Sequence, residues 1–179
     1  MNSKFRVVDL CYMAICAALI AICSWISIPA AVPFTLQTFA VFSVLGLLGG
    51  RRGTVSILVY ILLGAIGLPV FTGFNGGVGV LLGTTGGYVL GFVFAGLIYW
   101  MMESHFVGRR PVRFLAMVIG LFICYGFGTA WFMFVYARRA GEIALGTALT
   151  WCVIPFVIPD LVKMGLAVIF SDRLKKYIH

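Results

Sequence analysis

The sequence predicts an all-α integral membrane protein, a compact bundle of six transmembrane helices with an ordered glycine-rich outer loop between helices 3 and 4. Three observations predict it. Of 179 residues, 63% are apolar and 10% charged, and the mean hydropathy is +1.13, a composition foreign to a soluble domain. No Asp, Glu, Lys or Arg occurs from residue 10 to 50 or from 53 to 102, and each stretch is long enough for two crossings of about 20 residues. Proline and clustered glycine interrupt both stretches and divide them.

Helix 1 is expected over 10–28, stopped by Pro29, and Pro33 opens helix 2 over 34–50. Arg51 and Arg52 separate it from helix 3 over 54–70, which ends at Pro69 and the glycines beyond Phe71. Helix 4 is expected over 84–102, and helix 5 over 114–137 between Arg113 and Arg138. Reading 143–170 as one span gives 28 residues with Pro155 and Pro159 inside. A short surface helix over 142–152 and a last span over 159–174 is more economical, because proline is well tolerated in a first helical turn. The whole chain, 1–179, then forms one membrane domain.

Lys4 and Arg6 precede an apolar run longer than a signal-peptide core of about 7 to 15 residues, and no clear small-x-small cleavage site follows, so the run is expected to stay as a span. The net charge of +8 sits at the ends of the apolar runs, which argues against a nucleic-acid partner. Ten basic residues fall on one side: Lys4, Arg6, Arg51, Arg52, Arg109, Arg110, Arg113, Arg173, Lys175 and Lys176. Arg138 and Arg139 fall on the other, and Lys163 is intramembrane. The positive-inside rule then puts both termini in the cytoplasm.

Cys11, Cys16, Cys23, Cys124 and Cys152 show no CxxC spacing, and four of them lie within expected spans, so neither a disulfide framework nor a metal site is expected. Five acidic residues and two histidines, His105 and His179, offer no catalytic constellation. No enzyme and no cofactor are expected. Repeated polar stripes of a channel and inverted repeats of a secondary carrier are not visible either.

Four places depart from a plain lipid-spanning bundle, and these are where function is sought. Ala14, Ala17, Ala18 and Ala21 form two overlapping small-xxx-small pairs, at 14/18 and 17/21, expected on one side of helix 1 and suited to close packing inside the bundle or to docking on a partner membrane protein. Residues 32–38, VPFTLQT, bring Thr35, Gln37 and Thr38 to the start of helix 2, where Gln37 either hydrogen-bonds between helices or faces a ligand. The segment 67–88 holds seven glycines between 73 and 87. It lacks the lysine of a phosphate-binding loop and is too apolar for a flexible linker. An ordered loop is expected, with Gly76 and Gly77 allowing tight turns and close approach to a ligand, and Gly83, Gly87 and Gly91 allowing helix 4 to pack closely. Finally, Asp160 and Lys163 share a face at i and i+3. They serve either as a self-satisfied ion pair or as groups that hold a polar ligand. The polar features converge on the outer face and suggest a pocket walled by Phe34, Phe71, Phe74 and Tyr88.

At these residues the chain resembles the BioY family, the biotin-binding S-components of energy-coupling factor transporters. The resemblance covers nearly the whole chain and is strongest in VPFTLQTFAVF (32–42), GLPVFTGFNGGVGVLLGTTGGYVLGF (67–92) and PFVIPDLVK (155–163). It implies a six-helix vitamin-binding module that works with a coupling subunit and two ATPases, docked through a stripe like Ala14–Ala21. It implies biotin as the transported ligand, with Asn75 and Asp160 suited to the ureido group, aromatics to the ring and Lys163 to the carboxylate. Many relatives carry proline or a basic residue where this chain has Thr84, which leaves Lys163 as the main counter-charge. The alternative reading is a carrier or S-component of the same architecture for another small vitamin-like solute.

Overall fold

The computed structural model describes residues 6–30, 32–106 and 110–178. Lys4, Arg109 and His179 lie outside the described residues, as does the side chain of Arg110. The order is α1 (Val7–Trp25), β1 (Ser27–Ile28), β2 (Phe34–Thr35), α2 (Gln37–Ala65), a 3-10 turn (Thr72–Phe74), α3 (Val78–Leu81), α4 (Gly86–His105), α5 (Arg110–Ala140), α6 (Leu145–Cys152) and α7 (Ile154–Ile178). Five helical stretches among the described residues are long and apolar enough to cross a membrane.

α1 starts where the Asp9 carboxylate accepts the Arg6 N–H at 3.0 Å and pairs with Arg52 of α2 at 3.2 Å. Beyond α1, Pro29 and Pro33 forbid helix and hold their neighbours extended. β1 and β2 therefore pair antiparallel, Ser27 with Thr35 and Ile28 with Phe34. Phe34 and Thr35 thus sit on a strand, not at the start of helix 2 as expected.

The expected spans 34–50 and 54–70 fall on one helical run that folds back on itself. Gln37 Nε2 donates to Tyr60 OH at 3.0 Å although the two are 23 residues apart, a separation that covers about 35 Å along a straight helix. The fold-back occurs at Gly49, whose φ of 80° and ψ of 170° are open to glycine. Glu103 of α4 then accepts the Gly50 N–H at 2.5 Å, one of the donors a new helix start leaves free. The second arm ends at Ala65, five residues before the expected limit of 70. The reason is a Schellman cap: Gly67 has φ +104°, its N–H bonds Gly64 O, and Leu68 N–H bonds Leu63 O.

α4 packs closely on α5, since a Cβ at Gly87 would run into Trp131 and one at Gly91 into Cys124. Gly83 lies ahead of the helix, where its carbonyl accepts Trp131 Nε1–H at 3.0 Å.

α7 corrects another expectation. It begins at Ile154, five residues before the expected start, and Pro159 lies inside it. Phe156 and Val157 N–H both bond Val153 O, so the helix is already running. A proline one turn in removes only a single ladder bond, to Pro155 O, which the bundle tolerates. The alanines of α1 do not share one face as expected: Ala17 and Ala21 are buried within the bundle, whereas Ala14 and Ala18, offset around the helix, are exposed.

Candidate ligand-binding site

At the end of the bundle where β1, β2 and residues 66–85 meet, the chain forms a partly open cavity of about 220 Å³. Its polar wall is built by α7 with help from β2 and α5. Asp160 and Lys163, one helical turn apart, are 3% and 7% exposed. Lys163 Nζ donates to Asp160 Oδ1 at 2.9 Å and to Thr35 O at 2.7 Å, and it lies 3.9 Å from the Phe34 ring centroid. Tyr125 OH donates to Asp160 Oδ2 at 2.6 Å. Each charge is therefore compensated without water, as a buried pair requires. Asp160 lines the cavity and accepts one bond at each oxygen, fewer than the about four a carboxylate can accept.

A second polar locus is Gln37, buried in the first turn of α2 and tied to Tyr60. A third is Tyr88, whose hydroxyl shares a hydrogen bond of 2.9 Å with Thr129. Apolar lining comes from Phe71, Val89, Phe92, Leu121 and Phe156. Few convergent polar groups in apolar walls are the usual make-up of a small-molecule site.

Of the residues singled out in the sequence, Thr35, Gln37, Phe71, Asn75, Tyr88, Asp160 and Lys163 line this cavity. Asn75 sits at an exposed position and donates to Thr72 O at 2.9 Å. Four others do not line it. Phe34 stacks on Phe156 at 5.9 Å between centroids and backs Lys163. Phe74 turns outward, 64% exposed, and stacks on Trp25 at 4.8 Å. Gly76 and Gly77 shape the chain: a Cβ on Gly76 would strike the Leu68 carbonyl, and Gly77, with φ +94°, donates its N–H to Gly64 O at 2.6 Å.

Tyr60, Tyr125 and Phe156 also line the cavity but were not singled out. The two tyrosines carried a signal, since a hydroxyl in mid-span must find a partner and so faces the interior. Among the described residues no group of His, Cys, Asp and Glu is placed to hold a metal.

The long apolar helices, the buried ion pair and the cavity define a multi-pass membrane protein with a candidate site for a small solute. The BioY family model matches residues 1–179, and the chain belongs to that family. It is 42% identical to the probable biotin transporter BioY of Pyrococcus horikoshii over 80% of this chain and 81% of that one. Its identity to the biotin transporter BioY of Thermotoga maritima is 40%, over 89% and 90% of the two chains. The fold superimposes on the crystal structure of the S-component for biotin from an ECF-type ABC transporter with a TM-score of 0.83 and 30% identity, covering 98% of this chain and 95% of that one.

Proposed function

We propose that this protein binds biotin in the cavity and is the substrate-specificity subunit of an energy-coupling factor transporter that imports the vitamin. The observation that carries the reading is the buried Asp160–Lys163 pair on the wall of the cavity, in a chain whose relatives are named biotin transporters. Biotin offers a neutral ureido head with two N–H donors and one acceptor, an apolar ring and chain, and a carboxylate. Asp160 and Lys163 touch, so they serve one end of the ligand together. A carboxylate beside them would leave net negative charge in apolar surroundings, at a heavy desolvation cost, whereas a ureido group keeps the site neutral. The ureido group therefore belongs at this pair, its N–H groups on Asp160 and its carbonyl toward Lys163. Phe71, Phe92 and Phe156 flank the ring and chain. The carboxylate points to the mouth at Thr72, Asn75 and Thr85. This moves Lys163 from the carboxylate, where the sequence suggested it, to the other end.

The two arms of α2 count as separate crossings and bring the total to six, with residues 66–85 as an ordered lid on the outer side. Arg51, Arg52, Arg113 and Arg173 gather at the far end, which supports cytoplasmic termini in a prokaryotic inner membrane. The chain performs no catalysis and carries no cofactor. A coupling subunit docks on the exposed Ala14 and Ala18 of α1, and two ATPases supply the energy. Biotin uptake by cells expressing this chain with and without those subunits tests the assembly. Uptake that depends on them is expected, and equal uptake in their absence contradicts it.

A further inference from the structure

The last turn of α1 holds the segment that carries Phe71. Ser24, fully buried, has one hydroxyl proton shared between Val70 O at 2.6 Å and Ala21 O of its own helix at 2.8 Å, and Trp25 Nε1–H donates to Pro69 O at 2.9 Å. Two consecutive loop carbonyls are thus satisfied by two consecutive residues of one helix. Trp25 also stacks on Phe74. Between these contacts lies Phe71, 1% exposed, whose ring meets Tyr60 edge-on at 5.5 Å and covers Gly64, where a Cβ would overlap it. Tyr60 in turn holds Gln37 in the cavity wall. A line of contacts therefore runs from the end of α1 through Phe71 and Tyr60 to Gln37. Ser24 and Trp25 do not line the cavity, yet they fix a residue that does.

We propose that Ser24 and Trp25 are positioning residues that latch the 69–74 segment shut over the site and set how fast it opens. The inference rests on the reading of this cavity as the biotin site. Opening breaks both contacts; a neutral hydrogen bond contributes up to about 1 kcal/mol, or about fivefold in the opening equilibrium, and less where the freed donor meets water, as at the exposed Trp25 bond, or a second acceptor, as Ser24 does in Ala21 O. Ser24→Ala removes one bond. Trp25→Phe removes the other and keeps an aromatic ring on Phe74.

The test measures biotin dissociation from the purified full chain, together with amide hydrogen exchange of Phe71–Gly77 in ligand-free protein. Each single variant is expected to raise koff by up to about fivefold and the double variant by more than either single one, to at most about 25-fold, since neighbouring bonds on one segment need not add. The fraction of binding-competent protein should stay unchanged. In the same double variant, exchange at Phe71 N–H, bonded to Asn75 O, and at Gly77 N–H, bonded to Gly64 O, is expected to accelerate. A koff within twofold of wild type in the double variant overturns the latch, as does a loss of competent protein with koff unchanged. If wild-type protein binds no biotin, the functional reading fails, and the exchange rates alone then decide: unaltered exchange overturns the latch, and accelerated exchange upholds it.

Discussion

Ion pairs occur at both ends of this bundle and do different things. At the end away from the cavity, Asp9 pairs with Arg52 and Arg113 with Asp172 at 2.6 Å. These join α1 to α2 and α5 to α7, segments far apart in sequence, and they sit at helix ends. At the cavity end, Asp160 and Lys163 lie on the same helix and nearly out of solvent's reach. A pair within one helix ties no elements together by itself, and a buried pair is weak evidence for stability. The comparison teaches that the far pairs bridge separate elements at little energetic gain, while the near pair, held in place by Tyr125 and Thr35, acts under the proposed function as a recognition device.

Removing one partner from each end should break that symmetry most sharply. Asp160→Ala leaves Lys163 buried without its counter-charge, so a stability loss of about 3–5 kcal/mol is expected, with biotin binding abolished. Thermal unfolding and calorimetry in detergent report the two effects. Asp9→Asn is expected to change stability by about 1 kcal/mol or less, because Arg52 is 32% exposed in side chain, and to leave biotin affinity unaltered. A large affinity loss from Asp9→Asn would erase the distinction between the ends.

Tyr125→Phe comes next. It keeps the ring and removes one donor from Asp160, and an affinity loss of about tenfold is expected for a hydrogen bond to a charged group. Affinity equal to wild type would show that Asp160 needs no such positioning. Lys163→Ala sharpens the assignment of ligand ends, since biotin and its uncharged amide should lose affinity equally. A selectively larger loss for biotin would return Lys163 to the carboxylate. The smallest expected effect on binding is that of Ala14→Trp with Ala18→Trp. Those exposed positions should leave biotin affinity intact and abolish co-purification with a coupling subunit; a surviving complex would place docking elsewhere.

Much of this was legible in the sequence for physical reasons. Charge-free stretches longer than a bilayer is thick mark crossings, and buried charge in such a chain marks a site, which is how Asp160 and Lys163 stood out. The Ala14–Ala21 pattern showed its spacing but not its faces: the two pairs are offset around the helix, so one is buried and the other exposed. The strand pair at 27–35 was invisible, because two-residue strands carry no period. Pro159 misled, since a proline near a helix start costs little more inside the first turns than at the first position. Tyr60 and Tyr125 were missed because hydropathy counts an aromatic ring and overlooks its hydroxyl. The fold-back at Gly49 was legible only as the gap before Arg51 and Arg52. What turned it into a hairpin was a distance, Gln37 to Tyr60, that no local pattern encodes.

The most direct measurement is a calorimetric titration of the detergent-purified chain with biotin. Saturable binding of one biotin per chain, with a Kd of about 1 μM or below, is the expected result. No saturable binding in that range, in protein that still unfolds cooperatively, would contradict the assignment of this cavity to biotin.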